Sequence, residues 1–117
     1  MRLLILIFSL TGCASSPDYE AHRLAQWNFT YDESISSEHT IYDSIDKPFS
    51  GDCDVYAFTL QRVIGGEVWF IMLDDYEYPY HAALVKDGMV YDNINKRPVD
   101  KSDYRGQFVM KIDFKRK

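Results

Sequence analysis

Residues 51–66, GDCDVYAFTLQRVIGG, decide how the rest of this 117-residue chain is read. Asp52 is a residue of the helix-capping type, and the stretch after it carries apolar side chains at helical spacing. Val55, Phe58, Thr59 and Arg62 fall on one stripe, and Leu60, Val63 and Ile64 add apolar contacts beside it. Gly65 and Gly66 end the helix. Cys53 then sits in the first turn. Unpaired backbone N–H groups and the positive end of the helix dipole favour a thiolate there, and Asp52 and Cys53 at the helix N-terminus are the candidate oxyanion donors. Asp52 and Asp54 oppose the thiolate by charge, so a histidine imidazolium has to outweigh them if Cys53 is a nucleophile.

Working outward, EVWFIML (67–73) is rich in β-branched and aromatic residues and reads as a buried strand. DDYEYP (74–79) is a turn, YHAALV (80–85) a second strand, MVYDNI (89–94) a third and QFVMKIDF (107–114) a fourth. RPVDKSDYRG (97–106) reads as a loop. A helix followed by an antiparallel sheet gives an α+β fold. Upstream, ASSPDYEAHRLAQ (14–26) is polar and reads as a tether with a helical turn or two. WNFTYDESISSEHTIYDSIDKPFS (27–50) lacks a clean period and reads as irregular structure wrapping the domain. His22 and His39 stand in these stretches without partner spacing and are expected to be surface residues.

Asp87-Gly88 is a two-residue hairpin signal. With those two residues at the turn, Lys86 pairs with Met89 and Val85 with Val90. Continued, the register sets Ala83 opposite Asp92 and His81 opposite Ile94. His81 and Asp92 then share a face as diagonal neighbours, about 7 to 8 Å apart at Cβ or somewhat less, a gap their side chains can close. Asn93 faces the other way. A bulge in the turn would swap the faces. A cysteine at a helix start, a histidine on one strand and an aspartate on the next are the parts of a thiol nucleophile system.

The composition is that of one globular domain, with 46% hydrophobic and 15% aromatic residues, enough for a core without disulfides or metal. A net charge of −5 argues against a nucleic-acid surface. Asp74, Asp75 and Glu77 form an acidic cluster near the site but lack oxygen-cage spacing, so they read as a solvated turn and not as a metal site. The terminal KRK (115–117) reads as a solvated tail or a contact for anionic head groups.

The first residues, MRLLILIFSLTGC, have one positive charge at Arg2, an apolar run from Leu3 to Leu10, then small residues and Cys13. A run of eight residues is too short to span a bilayer, which takes about 20. The pattern is that of a secretory signal. Leu10-Thr11-Gly12-Cys13 resembles the lipobox of bacterial lipoproteins, which implies cleavage before Cys13 and its lipidation. Ala14 follows where an inner-membrane retention aspartate would stand, so that resemblance points to the outer membrane facing the periplasm. Residues 1–12 are then a signal peptide, 13–27 a tether and 28–117 the domain. Cys53 would remain as a single unpaired thiol in an oxidising compartment, an unusual arrangement unless the thiol has work to do.

Taken together, SGDCDVYAFTLQRVI, YHAALVK and VYDNI resemble the three motifs of bacterial transglutaminase-like cysteine peptidases, within the papain-like transglutaminase-core superfamily. The resemblance covers roughly residues 42 to 95. It implies a core with the nucleophile-bearing helix packed on a small antiparallel sheet, Cys53 as nucleophile, His81 as general base and acid, and Asp92 as the orienting residue. Val55 stands where that family commonly has another acidic residue, and the domain is about half the usual length. Some relatives require calcium, but no ligands matching theirs stand in this sequence, and no other cofactor is implied.

The reading that follows is a lipid-anchored thiol peptidase or amidase of the cell envelope, acting on a protein or peptide substrate through an acyl-enzyme. Two others stay open. One is a catalytically silent module that keeps the fold and binds a partner in its cleft. The other is a cell-wall peptide hydrolase, although the aspartate-cysteine-serine-glycine signature of such enzymes is missing.

Overall fold

The computed structural model describes residues 16–35, 41–74 and 79–113. The lipobox with Cys13, as well as His39, Asp75, Glu77 and the terminal KRK, lies outside the described residues.

Helix α1, Pro17–Asn28, occupies the stretch expected to be a tether. Ser16 caps it, its Oγ accepting from the Tyr19 N–H at 3.1 Å, and Pro17 enters at the first turn, where a missing N–H costs nothing. Its buried face consists of His22 and Ala25, with Ala21 half-buried beside them. Small and polar residues make that face, so no apolar stripe announces it. His22 is completely buried and is not the surface histidine expected from the sequence.

The segment read as irregular contains two short strands, β1 Phe29–Tyr31 and β2 Phe49–Gly51, paired in parallel with Phe29 opposite Phe49 and Tyr31 opposite Gly51. The rings of Phe29, Phe49 and Tyr56 pack at centroid distances between 4.9 and 6.2 Å, which ties this wrapping segment to the core. Gly51 is needed for close approach. A Cβ there would lie 2.5 Å from the Val55 Cβ, so a larger residue would push away the helix that follows.

Helix α2, Cys53–Ile64, matches the sequence reading at both ends. The Asp52 carboxylate accepts from the Val55 N–H at 3.1 Å, and the Gly65 N–H closes the C-terminus on the Gln61 carbonyl at 2.7 Å. Val55 through Leu60 are all buried, but Val63 is 44% exposed and adds little to the contact expected of it.

Five antiparallel strands form the sheet: β3 Glu67–Leu73, β4 Tyr80–Lys86, β5 Met89–Tyr91, β6 Val99–Asp100 and β7 Gly106–Ile112, in the order β6-β5-β4-β3-β7. The fold is thus mixed α and β, with α2 packed on the sheet. Tyr56, Ala57, Phe58 and Leu60 of α2 join Val68, Ala82, Leu84 and Tyr91 in one core cluster. Ile71, Ala83 and Val90, with Trp69, Tyr104 and Phe108 packed against them, form a second. The loop expected over 97–106 contains the short strand β6 and a 3₁₀ turn, Lys101–Asp103. Among the described residues no helix is long and apolar enough to cross a membrane.

Candidate active site

The β4–β5 hairpin has the register expected from its turn: Lys86 pairs with Met89, Val85 with Val90 and Leu84 with Tyr91. Asp87 and Gly88 both have positive φ, 51° and 79°, as a two-residue turn that matches strand twist requires. Strand pairing stops at Tyr91, earlier than MVYDNI suggested, and residues 92–95 turn away. Asp92 nevertheless meets His81. Its Oδ2 accepts from His81 Nε2 at 3.2 Å, and both residues are almost fully buried.

The Asp92 carboxylate is saturated with donors. Oδ1 accepts from the backbone N–H groups of Ile94 (3.1 Å) and Asn95 (2.7 Å), an aspartate turn that closes on its own chain. The Asn95 amide reaches both oxygens at 3.1 Å, and the Tyr104 hydroxyl donates to Oδ2. Burial pushes the carboxyl up, but these hydrogen bonds and the His81 charge outweigh it and hold Asp92 below its ordinary value. An ionised Asp92 can only accept, so Nε2 of His81 carries a proton. In the neutral ring Nδ1 is then a bare lone pair, available as a base.

A second layer fixes the 92–95 turn. Gln26 Nε2 donates to the carbonyls of Asp92 (2.7 Å) and Asn95 (3.1 Å). His22 Nε2 lies 2.9 Å from the Asn95 carbonyl and must donate to it, so Nδ1 accepts from the Tyr56 hydroxyl at 2.9 Å. Burial lowers the His22 pKa, opposed by the Asn95 bond and the Asp92 charge. None of His22, Gln26, Tyr56, Asn95 or Tyr104 was singled out from the sequence as part of this site. Only the aspartate turn left a local signal, an Asp opening a polar stretch after a strand.

Cys53 stands at the start of α2, half-buried and a free thiol. Its Sγ donates to Asp54 Oδ1 at 3.6 Å. Burial first, then the Asp54 and Asp52 charges, push the thiol up to about 12, while the Ala82 backbone N–H favours the thiolate. Desolvation and the two carboxylates thus outweigh the helix start, with no histidine bonded to the thiol to offset them, and the thiol is neutral at pH 7. Asp54 is also raised by burial, opposed by the thiol's hydrogen bond and the His81 charge. Cys53 thus meets the amide of the residue after His81, but no hydrogen bond joins the thiol to His81 in the structure.

Asp52 does not serve an oxyanion. Its N–H is committed to the Ile35 carbonyl (2.9 Å) and its carboxylate caps α2, so of the two expected donors only the Cys53 N–H is left for such a role. Tyr31 is 55% exposed, and burial followed by the charges of nearby acidic groups raises its hydroxyl pKa. Asn93 is half-buried, and its Oδ1 has no hydrogen-bond partner. Among the described residues no group of three or more His, Cys, Asp or Glu side chains is placed to hold a metal.

No protein-family model, no curated protein and no solved structure matches this chain.

Proposed function

We propose that this chain is a thiol peptidase or amidase of the cell envelope, anchored through a lipidated Cys13 to the outer membrane and facing the periplasm, which cleaves a protein or peptide substrate through a Cys53 acyl-enzyme. The observation that carries the reading is the buried His81–Asp92 pair, whose tautomer leaves Nδ1 as a base one residue from the amide that meets the Cys53 thiol. The three motifs in order, resembling the transglutaminase-like cysteine peptidases, support it as well.

Because the resting thiol is neutral, His81 acts as a general base when substrate arrives, and no preformed ion pair is needed. Sγ attacks the carbonyl carbon while its proton passes to His81 Nδ1, and Asp92 stabilises the imidazolium. The C–N bond breaks as His81 returns that proton to the leaving amine. Water, deprotonated by His81, then attacks the thioester and releases the acid and the thiol. The Cys53 N–H faces the developing oxyanion.

One observation favours a second reading, a binding module without turnover: the thiol is held in its neutral form by burial and by the charge of the Asp54 carboxylate it touches. A peptide vinyl sulfone separates the two. Covalent labelling of Cys53 that disappears in His81→Ala supports the enzyme. An unlabelled wild-type chain, or equal labelling in His81→Ala, supports the binding module.

A further inference from the structure

Away from the thiol, α1 and the segment after Asn95 enclose a surface cavity of about 590 Å³. Its charge runs against that of the chain, which carries −5 overall. Arg23, Lys96 and Arg97 line it against one carboxylate, Glu20, which Arg23 pairs at 3.3 Å. Lys96 and Arg97 are exposed and, among the described residues, have no ion-pair or hydrogen-bond partner. Beside these cations Trp27 is 87% exposed and Leu24 39%, both on the outward face of α1. A bare indole next to unpaired cations suits the interface of a bilayer, where the ring takes the head-group level and the cations meet phosphates.

The covalent chain supports the same occupant. On the lipoprotein reading proposed above, cleavage removes Leu3–Leu10 and leaves the lipidated Cys13 three residues before Ser16, so the start of α1 cannot lie more than about 11 Å from the anchored residue. With the acyl chains of Cys13 in hydrocarbon, this basic and aromatic face is within reach of the head groups.

We propose that this cavity is a head-group site, by which the face of α1 and residues 96–97 seats on an anionic phospholipid surface. Gln26 lines the same cavity and holds the Asp92 turn, so the docked face adjoins the support of the candidate site without overlapping the thiol. The proposal does not depend on catalysis.

The test uses the purified full chain with phosphatidylcholine vesicles, with and without phosphatidylglycerol. Any anchoring by the N-terminus acts on both vesicle types, so the ratio of partition coefficients reads the basic face. Partition should favour the anionic vesicles, with a blue shift in emission that is lost in Trp27→Phe. Each basic group near such a surface contributes about fivefold, so Lys96→Gln/Arg97→Gln should lower the preference about 25-fold. Lys111→Gln, at an exposed site on β7, should lower it far less. Equal partition into both vesicle types, or a preference unchanged in Lys96→Gln/Arg97→Gln, would overturn the proposal. So would an emission shift produced by inorganic phosphate or an acidic peptide but not by the anionic vesicles.

Discussion

The His81 imidazole and the Asp92 carboxylate meet at 3.2 Å, both almost out of water, because a two-residue turn at Asp87-Gly88 sets the register that brings β4 beside the end of β5, where Asp92 follows. The carboxylate selects the ring tautomer, and the tautomer decides which nitrogen can act as a base.

Asp92→Asn should therefore flip His81 before it unfolds anything. An amide NH₂ in place of Oδ2 would confront three donors, from His81, Tyr104 and Asn95, at a cost of about 1 to 3 kcal/mol. Nitrogen NMR of His81 should show the proton move from Nε2 to Nδ1. Asn93→Ala should change neither the tautomer nor stability by much, since its Oδ1 already lacks a partner. If Asn93→Ala moves the proton and Asp92→Asn does not, Asp92 is not what orients the ring.

Asp54→Asn should raise the reactivity of Cys53. The Asp54 charge and its hydrogen bond both favour the protonated thiol, so removing them shifts the thiol downward. Iodoacetamide should react slowly with the wild type at pH 7 and roughly tenfold faster with Asp54→Asn, the scale of one neighbouring charge. A slower rate in the variant would mean that Asp54 assists the thiolate.

These two predictions draw on what the sequence showed and what it hid. Helix α2 was legible because Asp52, the apolar stripe and Gly65 all point to the same boundaries. The hairpin was legible because Asp87-Gly88 admits few turn types. Helix α1 was not, since its inward side chains are an alanine and a histidine, and a buried histidine looks like a surface one until Tyr56 and the Asn95 carbonyl are seen at its two nitrogens. The neutral thiol was hidden for a similar reason. The dipole of a helix start is visible in sequence, but the desolvation that outweighs it depends on what packs above Cys53. Tyr104 and Gln26 approach Asp92 from elements distant in the chain, and no local pattern marks such contacts.

His22 makes stability depend on pH. Its folded pKa lies below the unfolded value of 6.5, so the unfolded chain binds the proton first as pH falls. Its contribution is fully present above pH 6.5 and is lost as pH drops below that value toward the folded pKa. Urea unfolding between pH 8 and 5 should show wild-type stability falling more steeply than that of His22→Gln. Parallel curves would mean that His22 is not buried as a neutral ring.

The anchor is tested by labelled palmitate. Expressed in a bacterium, the full chain should incorporate it and partition into detergent, and Cys13→Ser should abolish both. Labelling that persists in Cys13→Ser would remove the lipoprotein reading and leave the catalytic one standing.

The most direct measurement is acylation of the thiol by p-nitrophenyl acetate, followed as the burst of nitrophenolate and by intact mass. The wild type should release one nitrophenolate per chain rapidly and carry a single acetyl group on Cys53, with both signals absent in Cys53→Ala. His81→Ala should slow the burst by roughly 10² or more, the contribution of a positioned general base, and Asp92→Asn should fall between that variant and the wild type. A burst that survives in His81→Ala at the wild-type rate would contradict the account, because Cys53 would then react without the base that the Asp92 contact prepares.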